Sequence, residues 1–281
     1  MKRPLGTSMF AIALGMAGPA LAADPSGTDT TLIIADVVNW LGADQPQMHQ
    51  AALLQTILDN LSIPYSSQQI TRNRARIWVS EQPLACMPWL IKTLDRADRF
   101  QFSLPYMLEN SLRLVVKKDS KWAATLTEQL NHGEISLRDL MTQKQPPVLG
   151  IESNRSYGTQ ADILLQGLKD FPAVYTRTSS SNQITELLPM LQREFVDIII
   201  EYETLLINQD EQLVYFAFKE TEPFQLGHFA CSNTAAMTEL MPLLNQAIRT
   251  LTQDPAYQQL MLQGIPASQH KNALLYLQQA P

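Results

Sequence analysis

The chain has 281 residues, 45% of them apolar and 17% charged, which is globular composition and excludes a disordered chain. A formal charge of −6, with no block of Lys or Arg, argues against a nucleic-acid partner. Two widely spaced cysteines and four single histidines, His49, His132, His228 and His270, offer no metal-ligand spacing, so no cofactor is implied.

The first residues read as an export signal. Lys2 and Arg3 open it, residues 9–21 are apolar and rich in Ala and Gly, and Ala20-Leu21-Ala22 supplies small residues for cleavage. The apolar run is shorter than the roughly 20 residues that span a bilayer, and Gly18-Pro19 interrupt it. Cleavage is expected after Ala22, with Ala23 as the alternative, and no nearby Cys suggests lipid anchoring. Removing Lys2 and Arg3 takes the charge from −6 to −8. No second apolar run approaches spanning length, so a soluble periplasmic protein is expected.

After a linker over residues 24–30, residues 31–38 form a β-rich run. Met48, Ala51, Ala52, Leu54, Ile57, Leu58 and Leu61 recur at helical spacing over residues 47–61. Residues 66–70 read as a second strand. Residues 71–80 read as a helix with Ile77, Trp78 and Val79 on its apolar side, and residues 83–89 as a third strand. The second half repeats the alternation. Residues 148–152 predict a strand, 153–158 a loop, 159–168 a helix, 173–176 a strand, 184–193 a helix and 195–201 a buried strand. A long helix over residues 239–262 should break near Asp254-Pro255. Two strand–helix halves predict two α/β lobes, with ligands at the carboxyl ends of the strands. In an oxidising compartment Cys86 and Cys231 suggest one disulfide; two independently buried thiols are the alternative.

Three segments together carry a resemblance. Thr93-Leu94-Asp95-Arg96, then Phe102-Ser103-Leu104-Pro105-Tyr106, then Leu114-Val115-Val116-Lys117-Lys118 resemble the T-x-x-R, F-S-x-P-Y and L-V-V-x-K run of bacterial periplasmic solute-binding proteins of the polar amino-acid type (family 3). Ile135-Ser136-Leu137-Arg138-Asp139-Leu140, Leu149-Gly150-Ile151, Val196-Asp197, Asn245-Gln246-Ala247-Ile248 and Asp254-Pro255-Ala256-Tyr257 resemble later family motifs in the same order. The pattern around Cys86, Arg96, Ser156 and Tyr202 looks closer to a proteobacterial branch of these proteins than to a dedicated amino-acid carrier.

The resemblance implies a two-lobed, periplasmic-binding-protein-like α/β fold (type 2), each lobe a mostly parallel sheet flanked by helices. Residues 23–108 and 226–281 would form lobe one and residues 109–225 lobe two, with crossings near Glu109 and Gln225. It also puts Cys86 and Cys231 on neighbouring strands, which favours the disulfide. Arg96 falls where the family clamps a ligand carboxylate, a role suited to a planar guanidinium fork. Ser156 falls beside a helix N-terminus that would bind an anion, with Arg155 adding charge. Trp40 and Trp89 would line the pocket or fill the core, and Arg74 would face the cleft or the solvent.

Two features depart from the family. Tyr202 stands where an acid normally holds the ligand ammonium, and strand alternation would turn Glu201 and Glu203 outward. Met87-Pro88-Trp89 replaces small polar residues. The implied activity is capture of a small carboxylate-bearing solute by a monomer, read by the membrane subunits of an ABC transporter or by a membrane sensor. An accessory protein without small-molecule binding is the first alternative. The second is a dehydratase on the same scaffold, using Glu152, Glu201 or Glu203 as acid or base.

Overall fold

The computed structural model describes residues 31–42, 48–178, 187–206 and 211–279. The expected signal segment, the 24–30 linker and the first residues of the expected 184–193 helix lie outside them. Among the described residues no helix is long and apolar enough to cross a membrane.

The chain opens with β1 (Leu32–Asp36), α1 (His49–Asp59), β2 (Tyr65–Gln69), α2 (Arg72–Glu81), β3 (Ala85–Leu90), α3 (Leu94–Ala97), β4 (Phe100–Phe102) and β5 (Met107–Asn110). It continues through β6 (Arg113–Lys117), α4 (Lys121–His132), α5 (Leu137–Met141), β7 (Leu149–Glu152), α6 (Thr159–Gly167), β8 (Val174–Arg177), α7 (Leu188–Gln192), β9 (Ile198–Glu201), α8 (Glu203–Leu206) and β10 (Leu213–Phe216). It closes with β11 (Phe224–Ser232), α9 (Ala235–Gln253), α10 (Pro255–Met261) and α11 (His270–Gln278).

These elements build two sheets. The first has the order β2-β1-β3-β11-β4, with β5 also on β11; the second has the order β10-β6-β9-β7-β8. In each, the strands joined through helices are parallel: β2-β1-β3 and β8-β7-β9. The remaining pairs are antiparallel, so each sheet is mixed. The antiparallel pairs arise where the chain passes between the lobes. β11 pairs by its first half with β5 and by its second with β3 and β4, opposing Gln225 to Glu109.

Local chemistry explains where the helices start. Ser120, Ser136, Thr234 and Asp254 accept backbone N–H bonds at the first turns of α4, α5, α9 and α10. Asp254 followed by Pro255 both ends α9 and starts α10, as the sequence suggests. On α2 the apolar side is narrower than expected. Ala75 and Val79, one turn apart, are buried, whereas Ile77 is exposed because it falls about 160° around the helix from Val79. One core gathers Leu53, Leu54, Ile57 and Leu58 of α1 against α9 and α10. A second gathers α4, α5 and α6 against β6 and β9. Trp89 packs against both.

Cys86 and Cys231 oppose each other in the β3–β11 register and form a disulfide, both fully buried. The bond joins residues 145 apart in sequence and ties the returning strand to the N-terminal half of the sheet.

Candidate functional site

The carboxyl ends of β1 and β3, the first turns of α2, and the loop between β7 and α6 meet at one cleft of about 690 Å³, its mouth included. Trp40, Trp89, Arg96, Arg155, Ser156 and Tyr202, all expected from sequence, line it together. Arg74 does not: it is exposed on α2. Arg72 and Arg76, one turn apart, face the cleft instead. The helical period explains the substitution, since positions 72 and 76 share a side and position 74 points away from both. That spacing was readable in the sequence once the buried pair Ala75 and Val79 is recognised.

The cleft floor is aromatic. Trp40 and Trp89 lie 5.0 Å apart between ring centroids, and Trp89 and Tyr202 6.0 Å apart. Trp40 is 5% exposed and belongs to the core as well as the cleft; its indole N–H has no partner among the described residues. Its backbone N–H and that of Leu41 donate to Asp36, which closes the turn after β1. Trp89 adopts φ 54°, a left-handed conformation rare for a bulky residue, beside the β11 register shift between His228 and Ala230. The Trp89 N–H donates to the Tyr106 hydroxyl at 3.1 Å, and the indole lies where a Cβ on Gly227 would come within 2.9 Å. The strained backbone therefore turns the indole toward the other lobe.

The polar wall is a set of arginines and their partners. Arg155 makes a bidentate bond to Glu201 and a third bond, at 3.3 Å, to Glu152. It also lies between the rings of Tyr157 and Tyr202, at 5.1 and 5.8 Å. Burial opposes its charge most strongly, but Glu201, by charge and hydrogen bond, together with Tyr157 and Glu152 outweighs burial and holds Arg155 protonated. Burial pushes the Tyr202 hydroxyl well up, against the charge of Arg155. Glu201 is thus buried and turned inward, contrary to the outward orientation expected from strand alternation. The reason is that β9 ends at Glu201, so Tyr202 has left the strand and lines the cleft while Glu201 meets Arg155 in the wall behind it.

Ser156 also differs from its expected role. Its hydroxyl donates to Asp162, while the N–H of Tyr157 donates to the same carboxylate at 2.7 Å. The start of α6 is therefore occupied by the chain's own carboxylate. Asp162, one turn into the helix, joins Arg72 and Arg76 as a residue that the sequence alone did not point to.

Contacts among the described residues cross from the N-terminal lobe to the second one. Arg72 bonds Glu152 at 3.1 Å, Arg96 donates to the Asn154 carbonyl at 3.1 Å, and Trp89 meets Tyr202. Arg96 also donates to the Ile91 carbonyl at 2.8 Å, which fixes its guanidinium at the cleft mouth. Burial lowers the Arg96 pKa, and the charges of Asp162 and Asp95 act against that shift. Arg76 is pushed down to about 9 by burial and by the neighbouring charges of Arg96 and Arg72.

No protein-family model matches the sequence, and no curated protein matches it. Solved structures do resemble it. The substrate-binding protein of an amino acid ABC transporter superposes with TM-score 0.57 at 16% identity, over 84% of this chain and 99% of that one. The arginine-, lysine-, histidine-binding protein ArtJ from Geobacillus stearothermophilus gives TM-score 0.62 at 14% identity, over 89% and 99%. An ancestral amino acid-binding protein, a precursor of cyclohexadienyl dehydratase, gives 0.60 at 17%, over 84% and 96%. The chain therefore has the two-lobed α/β fold of these binding proteins.

Proposed function

We propose that this chain is a solute-binding protein that captures a small carboxylate-bearing molecule between its lobes. The observation that carries the reading is the position of Arg96, which extends from the N-terminal lobe and bonds the Asn154 backbone across the mouth of an arginine-lined cleft. A carboxylate entering there would receive the remaining guanidinium donors and bridge the lobes. The similar solved proteins are described as binding amino acids, which supports a small polar solute. We further take the protein to be exported through a cleaved signal segment over residues 1–22 and to act as a monomer. It would deliver its solute to the membrane subunits of an ABC transporter or to a membrane sensor. The lobes would divide near Glu109 and Gln225, whose cross-strand pairing supports a hinge there.

The test is calorimetry on protein stripped of co-purified solute by unfolding and refolding, across a panel of amino acids and organic acids. Saturable binding that Arg96→Gln abolishes is the expected result. Uniform failure of a folded protein to bind would overturn the reading. It would favour an accessory protein without small-molecule binding, which the contacts among Trp40, Trp89 and Tyr202 also support. The dehydratase reading is weaker, because Glu152 and Glu201 both sit in ion pairs with arginines and are not poised as proton donors or acceptors.

A further inference from the structure

Arg76 is the unexplained charge of the cleft. It lies on the cleft-facing side of α2 and makes no ion pair or hydrogen bond among the described residues; its Nε is buried without a partner. A guanidinium buried there without a direct partner is destabilising, because burial and the charges of Arg96 and Arg72 outweigh the attraction of Glu152. Its neighbours worsen the case: Arg72 is committed to Glu152, and Arg155 to Glu201 and Glu152. Glu152 and Glu201 are thereby used, and among the described residues that line the cleft there is no Asp or Glu. Glu109 does not serve either. It is buried at the crossing strands, bonded to Gln50 and outside the lining.

Arg76 and Arg96 also line a second, outer cavity of about 1090 Å³, so the two guanidinium groups stand between an aromatic inner compartment and a polar outer one. In the outer compartment Asp162 spends its oxygens on Ser156 and Tyr157, and Asp95 accepts from Thr93. Among the described residues, each acid that lines the outer cavity therefore already accepts a hydrogen bond.

We propose that the ligand is an unaminated carboxylate with an apolar or aromatic body, its anionic end held jointly by Arg76 and Arg96 and its body against Trp40, Trp89 and Tyr202. This rests on the solute-binding reading and narrows its ligand class. The inner compartment offers cations and aromatic faces, which suit an anion with an apolar tail. An α-ammonium would be desolvated there with no acceptor carboxylate among the described lining residues, and would repel Arg76.

Matched pairs test this. Stripped protein is titrated calorimetrically with 3-phenylpropanoate against L-phenylalanine, 4-methylpentanoate against L-leucine, and glutarate against L-glutamate. The expected result is that 3-phenylpropanoate or 4-methylpentanoate binds at least tenfold tighter than its amino-acid counterpart. Arg76→Gln should weaken that binding at least tenfold while leaving the melting temperature of the unliganded protein unchanged or raised. A merely structural Arg76 would instead lower the melting temperature and leave affinity unchanged, which would overturn its role. Equal or tighter binding of the amino-acid members overturns the ligand class but leaves the solute-binding reading standing. Binding of no member of any pair by folded protein overturns both.

Discussion

Arg155 and Glu201 form a fork-to-fork ion pair inside the cleft wall, Arg155 Nη1 reaching Glu201 Oε2 at 2.6 Å while Nη2 reaches Oε1. Both side chains are at least nine-tenths buried, so each is the other's substitute for water. The arginine that the sequence offered as a ligand contact is first of all a partner for Glu201.

Breaking the pair should be costly, and removing it whole should not. Arg155→Ala or Glu201→Ala is expected to destabilise the fold by about 3–5 kcal/mol, since each leaves one buried charge alone. The double replacement Arg155→Met with Glu201→Leu should recover most of that loss. Urea unfolding of the four proteins checks it. Single variants within about 1 kcal/mol of the parent would contradict the geometry.

The Cys86–Cys231 bridge should matter in proportion to the chain it closes. Replacing both cysteines by Ser is expected to cost about 2–5 kcal/mol, by the usual effect of losing a native disulfide. Mass spectrometry of unreduced, alkylated protein should find no free thiol. Two alkylated cysteines in protein from an oxidising compartment would refute the pairing.

Glu109 should make the protein less stable as pH rises. Burial lifts its pKa from 4.5 to about 7, against the hydrogen bond from Gln50. Between those values the folded state holds a proton that the unfolded chain has released, so stability falls as pH climbs from about 4.5 through 7. Glu109→Gln should flatten that slope in denaturant titrations taken from pH 5 to pH 8. An unchanged slope would mean that Glu109 titrates normally.

His228 should act in the opposite direction. Burial lowers its pKa from 6.5 to about 4, although its Nδ1 faces the Ser103 carbonyl at 2.9 Å. The folded state resists protonation, so stability is lost as pH falls from about 6.5 toward 4. His228→Asn, which retains a donor for Ser103, should shallow the acid limb of the stability curve. If the acid limb keeps its slope, other groups control acid unfolding.

Gly227 should tolerate no side chain. A Cβ there would stand 2.9 Å from Trp89 Cδ1 and 3.1 Å from Met107 Cβ. Gly227→Ala is therefore expected to displace the indole, costing about 1–3 kcal/mol as overpacking and weakening solute binding. Thermal melts with and without a binding acid separate the two effects. A variant with parental stability and affinity would show that Trp89 is free to move.

Much of the fold was legible along the chain, because strand and helix periods are local properties of sequence. β1, α1, β2, α2, β3, β7, α6, β8 and β9 fall where residue alternation and helical spacing put them, and Asp254-Pro255 breaks the last long helix as expected. The order of motifs around Arg96 singled out an arginine that the fold places in the cleft lining. What sequence could not decide was partnership. Arg155 and Glu201 are 46 positions apart, Arg72 and Glu152 are 80 apart, and Trp89 meets Tyr202 only because two lobes close on each other. Whether a charge is a ligand contact or one half of an internal pair depends on which side chains the registers of two separate sheets bring within 3 Å or so. That depends on tertiary packing, so Arg76, an arginine with no hydrogen bond or ion pair among the described residues, emerged only in the folded chain.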